Sequence, residues 1–539
     1  MTQPVTDDEP IRLAVDAGAD GSHLDHFWSR SVGAGRANEG LRADWQDHLA
    51  LVVEECGFSY VRFHGIFHDD MFVYRRGDHG TPVYYFGYLD ALVDRLLEIG
   101  VRPFIELGFC PRDLARETET VFWWKGHGAP PRDMDAWGEL VTRTVRHWTD
   151  RYGVDEVRHW YFEVWNEPNL KPFFAGTRTE YLQLYEVTAR AVKAVDPQLR
   201  VGGPATSNFV GDNRFAGEVE DTSARIVADS DELDALDWQP VWLHEFLAWC
   251  HERRAPVDFV SCHPYPTDWA LDEHGHGAKL TRDADATPRD LATLRKIVSD
   301  SLFPDAEIHL TQWSSSSSSR DHTHDHLQTA TFVVHSVLES IGQVDSLSYW
   351  TFTDVFEEAG AGAELFHGGL GMITVPGVVK PTFHAYRMLH QLGDRLIAQV
   401  PGIVATKHSG SGRCSLLAYH YPPQMSRAVP ASVGDRATAE ATLTTGAPRR
   451  LSVTVDGLAP GASVGLERLT VQDGNALAVW KEMGAPSEPT REQLSWLRAR
   501  ARATRVSSST ADAAGRAEVD EMLEPWTLCL ITAEVAAGR

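Results

Sequence analysis

Residues 160–170 carry the side chains of this sequence that are best suited to acid–base chemistry. A strand-like run there ends in Asn166, Glu167 and Pro168, and proline cannot continue a strand ladder because it lacks a backbone N–H. Asn166 and Glu167 are therefore predicted at the carboxyl end of a strand, which is the edge where catalytic side chains collect in a barrel of parallel strands. A carboxylic acid beside an amide that can hold a sugar hydroxyl is half of a glycosidase active site.

The other half of such a site is a second carboxylate at another strand end. Where we expect it, residues 310–313 read Leu-Thr-Gln-Trp, so Gln312 stands in place of an acid. An amide oxygen is a poor nucleophile and cannot neutralise an oxocarbenium-like transition state. Glutamine is nearly isosteric with glutamate, so we expect the fold and most sugar contacts to persist. Asp69 or Asp70 could supply another nucleophile, but both are predicted on the opposite side of the rim from Glu167.

Polar and aromatic residues also gather at the ends of three other predicted strands. The candidates are His64 at the end of strand two, His263 and Tyr265 at the end of strand six, and Trp350, Glu357, Glu358 and Phe366 after strand eight. Convergence of these strand ends on one rim favours a common site over isolated solvated side chains. Glu163 precedes Glu167 by four residues and is predicted deeper in the barrel, with Arg62 as its buried partner.

The histidines His322, His324 and His326, together with Asp321 and Asp325, have an alternate spacing that zinc could use on a loop. The predicted strand ends supply no matching fourth ligand, which favours a polar supporting role for these side chains. We therefore predict no metal site and no cofactor.

The elements that must position these residues are eight short β-rich runs, each followed by a helical pattern, at residues 13–16, 60–65, 102–109, 161–167, 200–205, 258–266, 307–313 and 346–352. The helices between them show the 3.6-residue period. One has its apolar stripe from Leu89 to Leu97 and stops at Gly100, and another opens with the capping-box spacing of Thr177 and Glu180. Alternating strands and helices of this number predict an α/β fold, the (β/α)8 TIM barrel.

After the barrel the sequence pattern changes. Strand-like runs at residues 413–421, 449–457, 463–472 and 525–532 have no crossover helices between them, and one short helical insert is predicted at residues 490–503. This pattern predicts an accessory β-sandwich over residues 395–539, following a barrel over residues 1–394. Residues 11–15 could join either domain.

The composition of the 539 residues excludes several classes of protein. A formal charge of −26 argues against binding to a nucleic-acid backbone, and no stretch approaches the roughly 18 apolar residues of a membrane span. The six cysteines are scattered, as reduced thiols are. The start of the chain is polar and acidic, so we expect a cytoplasmic protein unless a signal peptide has been removed. We expect a glycoside or oligosaccharide substrate, with no nucleic-acid or membrane partner and the oligomeric state left open.

The motifs resemble those of glycoside hydrolase family 39, the family of β-xylosidases and α-L-iduronidases. The resemblance covers the barrel and reaches into the C-terminal region, and it rests on residues 61–70, 160–170, 201–205, 258–266, 349–358, 366–369 and 380–381. Residues 349–358 look like the β-xylosidase branch. The family pattern at residues 310–313 is similar to Leu-Thr-Glu-aromatic, and the family often carries a tyrosine shortly afterwards, where this chain has serines at 314–319.

The resemblance implies that Glu167 is the general acid/base and that Gln312 occupies the position of the nucleophile. It also implies a sugar-binding subsite. Its members would be Asn166 at the 2-hydroxyl, His64, His263 and Tyr265 along the wall, Glu357 and Glu358 gripping the outer hydroxyls, and Trp350 and Phe366 as an apolar floor. A paired grip of this kind closes around one sugar and favours exo action.

We therefore predict a retaining, exo-acting glycosidase that releases a small β-linked glycone, with xylose the favoured sugar, from a non-reducing end. The favoured interpretation of Gln312 is an engineered Glu→Gln replacement that leaves the chain nearly inactive. Two alternatives stay open. The chain could be a natural carbohydrate-binding protein without catalysis, or a family member that acts on an arabinoside, a galactoside or a disaccharide unit.

Overall fold

The computed structural model describes residues 9–226, 233, 235–267, 282–422, 434–443 and 446–535. At its centre is a closed barrel of eight parallel strands. In chain order, strands one to eight are Ser31–Arg36, Tyr60–His64, Arg102–Leu107, Tyr161–Val164, Arg200–Ser207, Phe259–His263, Glu307–Trp313 and Ser346–Tyr349. The helix that covers each strand in turn is Ala43–Cys56, Gly87–Ile99, Met134–Tyr152, Arg178–Val195, Leu243–Arg253, Ala286–Asp300, Leu327–Glu339 and Pro381–His390. The predicted TIM barrel is confirmed.

The first barrel strand differs from the predicted one. Residues 13–16 fall within Ile11–Asp16, which lies outside the barrel and pairs in parallel with Arg449–Asp456. Strand one is instead the buried run Ser31–Arg36, whose sequence is SVGAGR. Small residues give little strand signal, yet the packing requires them. A Cβ on Gly33 would collide with the indole ring of Trp350.

Local sequence signals correctly predict the end of one helix and the start of another. Helix Gly87–Ile99 stops at Gly100, which has a left-handed φ of 93°. Helix Arg178–Val195 begins with a complete capping box, in which Thr177 and Glu180 bind each other's backbone N–H groups. These helices pack their apolar stripes against the barrel and so hold the strand ends in place.

Ten of the other strands form two sheets that share an apolar core. The larger sheet contains, in spatial order, Ser22–His23, Arg395–Val400, Ile403–Lys407, Arg413–Tyr419, Leu528–Glu534, Ser463–Leu469 and Arg505–Thr510. The smaller sheet contains Ile11–Asp16, Arg449–Asp456 and Ala517–Leu523. Val15 and Val453 from the smaller sheet are buried in one cluster with Ile531 from the larger. This is the strand-rich region that the sequence indicates, while the accessory domain and its boundary at residue 395 stay a prediction.

Short elements complete the described chain. The helices Val154–Val157, Arg436–Leu443, Ala476–Glu482 and Arg491–Ala501 lie outside the main barrel set, and the last of them is the predicted insert. Two-stranded ladders join Tyr74–Arg76 to Pro82–Tyr84, Thr120–Val121 to Gly126–His127, and Phe209–Val210 to Gln239–Pro240. Single 3-10 turns lie at Phe27–Ser29, Glu39–Leu41, Asp69–Met71, Asp78–Gly80, Thr222–Ala224 and His322–Asp325. None of the described helices has the length and apolarity to cross a membrane.

Candidate active site

A network of buried charges lies inside the barrel, beneath the carboxyl ends of the strands. We call its members, Arg62, Glu106 and Glu163, the charged floor. Arg62 Nε donates to Glu163 Oε2 at 2.7 Å, while its Nη2 lies 2.9 Å from Asn166 Oδ1 and 3.0 Å from Glu106 Oε2. The guanidinium and both carboxylates are fully buried. The predicted pairing of Arg62 with Glu163 is confirmed. Glu106 was missed, although a lone acid in the apolar third strand is the signal that could have found it.

His64 connects this floor to the loop after strand eight. Its Nδ1 lies 2.5 Å from Glu106 Oε2, and its Nε2 lies 3.3 Å from Glu358 Oε1. Burial lowers the pKa of His64, but Glu106 and Glu358 outweigh burial and raise it to about 9. His64 is therefore an imidazolium at neutral pH. Burial raises the pKa of Glu358 above its usual value, and His64 acts in the opposite direction.

Glu167 follows strand four in a left-handed turn. Its φ is 45° and that of Trp165 is 71°, a region that costs of order 1 kcal/mol for a residue other than glycine. The side chain is 6% exposed. Burial raises the pKa of Glu167 to about 7, against a Ser207 hydrogen bond and the charges of His64 and Arg62, which lower it. Glu167 can therefore both give and take a proton near neutral pH.

Strand six brings two more predicted residues to Glu167. His263 Nδ1 lies 2.9 Å from Glu167 Oε1, and its Nε2 lies 3.0 Å from Thr311 Oγ1. Tyr265 is 2% exposed, and burial followed by the charges of Glu167 and Glu358 raises the pKa of its phenol well above the usual value. Both carboxylates therefore lie near this phenol, as a shared subsite requires.

A break in the alternation of strand seven turns Gln312 toward the barrel interior. His309 lies inside, where its ring meets aromatic rings from three other strands, whereas Trp313 lies outside against the following helix. Strict alternation from His309 would put Trp313 inside. The pairing with strand eight shifts register between Leu310 and Trp313. One extra residue is thereby inserted, so Thr311 and Gln312 both face inward at the carboxyl end.

Trp350 closes the site on the side of strand eight. Its ring centroid lies 4.8 Å from that of His64, and the Arg62 guanidinium lies 5.7 Å from it. The indole is 1% exposed. An aromatic face beside buried carboxylates and an imidazolium suits a sugar, which has both C–H faces and hydroxyl edges.

The sequence model of the glycosyl hydrolases family 39 matches residues 11–518. The chain belongs to family 39. It is 38% identical over 480 residues to a β-xylosidase of Geobacillus stearothermophilus, covering 87% of this chain and 85% of that protein. It is also similar to two crystal structures at 32% identity, a GH39 enzyme from Xanthomonas axonopodis pv. citri (TM-score 0.83, 98% of each chain) and a monomeric β-xylosidase from Caulobacter crescentus CB15 (TM-score 0.82, 98% and 100%). This family 39 chain is thus similar, over most of its length, to proteins described as β-xylosidases.

The two adjacent carboxylates that were predicted to grip one sugar point to different partners in this family 39 chain. Glu358 turns inward to His64. Glu357 instead lies 2.8 Å from Arg36 Nη2 and 3.3 Å from Arg42 Nη1. The paired grip on one sugar stays a prediction. Glu358 faces the site, and Glu357 anchors the loop to strand one and the segment that follows it.

Phe366 also lies among partners that the sequence did not indicate. It is fully buried with its ring 5.6 Å from that of Trp480, on helix Ala476–Glu482, and its carbonyl accepts from Arg436. The structure therefore places Phe366 against the C-terminal region. Among the described contacts, it is Trp350 that meets the charged floor.

Two of the other acidic candidates, Asp325 and Asp70, have structural partners. Lys380 Nζ lies 2.8 Å from Asp325 Oδ1 and 2.7 Å from Asp354 Oδ2, all fully buried, which explains the acid at 325. The described residues contain no group of three or more His, Cys, Asp or Glu side chains arranged to hold a metal ion. Asp70 pairs with Arg36 and His68 rather than facing Glu167.

Proposed function

We propose that this family 39 protein binds small β-linked glycosides, with β-xylosides as the substrate class, at their non-reducing end. The observation that carries the proposal is Glu167, a buried acid that ionises near neutrality at the rim of the barrel. In a working family member such an acid gives its proton to the leaving-group oxygen as the bond to the sugar C1 breaks. The identity to a β-xylosidase favours xylose as the glycone.

The sugar would be held by residues at the same end of the barrel as Glu167. Asn166 is oriented by Arg62, which engages its Oδ1 and leaves its amide N–H groups for a hydroxyl oxygen. Glu358, which is paired with the His64 imidazolium, would accept a hydrogen bond from an outer hydroxyl of the sugar. Trp350 would supply the apolar face. Gln312 Oε1 is buried with no donor among the described residues, so it has a free acceptor for a sugar hydroxyl.

In a double displacement, a carboxylate at position 312 would bond to C1 from the face opposite the leaving group, and water would later release the sugar. The two carboxyl groups of such enzymes stand ~5–5.5 Å apart. Gln312 is neutral and cannot form a stable glycosyl ester, so the proposal includes very low turnover by the chain as it stands. Binding does not need the charge at 312 and should persist.

Gln312→Glu is expected to create a retaining β-xylosidase. Because loss of a nucleophile costs several orders of magnitude, we expect kcat/KM on an aryl β-xyloside to rise by more than about 10³-fold. Proton NMR of the first-formed product should show the β-anomer of the free sugar. The matched control is Gln472→Glu, the same chemical change at an exposed position, which should leave turnover unchanged.

A non-catalytic carbohydrate-binding protein is the second candidate, and Gln312 itself is the observation that favours it. Calorimetry with methyl β-xyloside and xylobiose separates the candidates when combined with the Gln312→Glu assay. Binding without any gain in turnover would support this second candidate. No binding at millimolar sugar in either form would count against the subsite as drawn here.

A further inference from the structure

Four side chains at the centre of the barrel form one continuous chain of hydrogen bonds. Thr311 Oγ1 donates to Glu163 Oε1 at 2.6 Å and lies 3.0 Å from His263 Nε2. His263 Nδ1 in turn lies 2.9 Å from Glu167 Oε1. The chain thus runs from the charged floor to the acid that ionises near neutrality, through strands seven and six.

The direction of each hydrogen bond follows from the protons available. Arg62 Nε donates to the other oxygen of Glu163 at 2.7 Å, so both oxygens of Glu163 act as acceptors. The single hydroxyl proton of Thr311 is given to Glu163, so its oxygen accepts from His263 Nε2–H. Burial and then the Arg62 charge lower the pKa of His263 well below its usual value, so its ring is neutral and Nδ1 is an acceptor. The proton in the last bond therefore belongs to Glu167.

We propose that Thr311 and Glu163 are positioning residues that fix the Nε2–H tautomer of His263 and, through it, hold Glu167 as a proton donor. The inference rests on the proposed role of Glu167 as the general acid, and it adds the residues that preset its proton. If Glu167 ionised with the chain intact, its oxygen would face the lone pair of His263 Nδ1. Ionisation therefore requires the proton of His263 to move from Nε2 to Nδ1, which breaks the bond to Thr311.

Other polar groups face this chain from the neighbouring elements. They are Arg62 and His64 from strand two, Ser207 from strand five, Tyr265 after strand six and Glu358 after strand eight. The two positive charges favour the ionised form of Glu167, and the charge of Glu358 disfavours it. A change limited to the Thr311 hydroxyl leaves all these groups in place. It therefore tests the chain and not the general electrostatics of the site.

The test follows the ionisation of Glu167 by carbon-13 NMR of its labelled carboxyl in the ligand-free protein. Thr311→Val keeps the side-chain shape and removes the hydroxyl, so His263 can carry its proton on Nδ1 and donate it to ionised Glu167. We expect the midpoint to fall by about one pH unit or more, a tenfold rise in the ionisation constant. Thr311→Ser should restore the midpoint. Thr144→Val, which removes a buried hydroxyl bonded to a carbonyl within its own helix, should leave it unchanged.

Nitrogen-15 NMR of the unaltered chain gives a second measurement that needs no variant. Below the midpoint of Glu167, His263 should show a protonated Nε2 and a bare Nδ1. A protonated Nδ1 in that range, or a Glu167 midpoint that does not move in Thr311→Val, would overturn the proposal.

Calorimetry with methyl β-xyloside is run on the same samples. Sugar binding that fails while both NMR results hold would count against the proposed function and not against the positioning role.

Discussion

At the scale of single residues, the chemistry of the site is set by how deeply its charges are buried. Arg62, Glu106 and Glu163 are fully enclosed, and Arg62 pairs with both carboxylates. Removing one partner from such a set leaves an uncompensated charge, which commonly costs about 3–5 kcal/mol. Disturbing this set of charges is therefore costly, and both Glu167 and Glu358 are linked to it through neighbouring side chains.

Glu167→Gln is expected to stabilise the fold above neutral pH. An unfolded glutamate ionises near 4.5 and this one at about 7 when folded. Between these values the folded state binds more protons, so its free energy of unfolding falls as the pH rises. Glutamine has no proton to lose. Between pH 4 and pH 8 we expect the stability of the variant relative to the unaltered chain to rise by about 3 kcal/mol, measured by urea unfolding. An equal difference at the two pH values would mean that Glu167 titrates normally.

Glu358→Gln should weaken the binding of methyl β-xyloside more than Glu357→Gln does. Glu358 faces the site beside His64, so the change removes a charged acceptor, at a cost of about 1–3 kcal/mol. Glu357 is already occupied by Arg36 and Arg42. Calorimetry on the two variants compares adjacent positions with the same chemical change. A larger loss of sugar affinity in Glu357→Gln would support the prediction that both carboxylates bind one sugar.

The residues that could be predicted from the sequence are those next to a local departure from the expected pattern. Glu167 stands beside a proline that ends a strand, and Gln312 stands where an acid is expected. Glu106 and Thr311 act through partners on other strands, and no spacing along the chain shows which inward residues will meet. Arg36 was missed for a related reason, since strand one itself went unrecognised.

At the scale of elements, strand one shows how packing can override strand propensity. Its small residues leave room for the Trp350 ring, which forms one wall of the site. Helices with a clear 3.6-residue stripe and a capping signal were predicted to within a few residues, because their signals are local. The strand at Ser31–Arg36 has no such local signal. Its small residues are required by packing against Trp350, which lies 317 positions after Gly33 in the chain.

Gly33→Ala is expected to destabilise the barrel and to disturb sugar binding together. The added Cβ would collide with the indole of Trp350, and overpacking of this kind costs about 1–3 kcal/mol. Gly410→Ala is the control, since a Cβ there meets no atom within 4 Å. Urea unfolding and calorimetry with methyl β-xyloside measure the two effects. A stable Gly33→Ala protein with unchanged binding would show that Trp350 can move without cost.

At the scale of the whole molecule, the C-terminal region supports the loop that carries Glu358. Phe366 packs on Trp480, and Arg436 binds the carbonyl of Phe366. Lys380 ties the loops after strands seven and eight together from inside the protein. The geometry of the site therefore depends on parts of the chain far beyond the barrel, which a barrel pattern in the sequence cannot reveal.

The strand Ile11–Asp16 has a consequence for how the protein is made. It leaves the ribosome before the barrel strands, but Ile11 pairs with Leu451, so its partner strand follows about 440 residues later. At about 5–20 residues per second, that delay is tens of seconds. The barrel strands, which all lie between these two segments, can associate during the wait. The apolar side of Ile11–Asp16 is covered only after Arg449–Asp456 has been made, so the growing chain carries an exposed strand during that interval, which gives a chaperone time to bind.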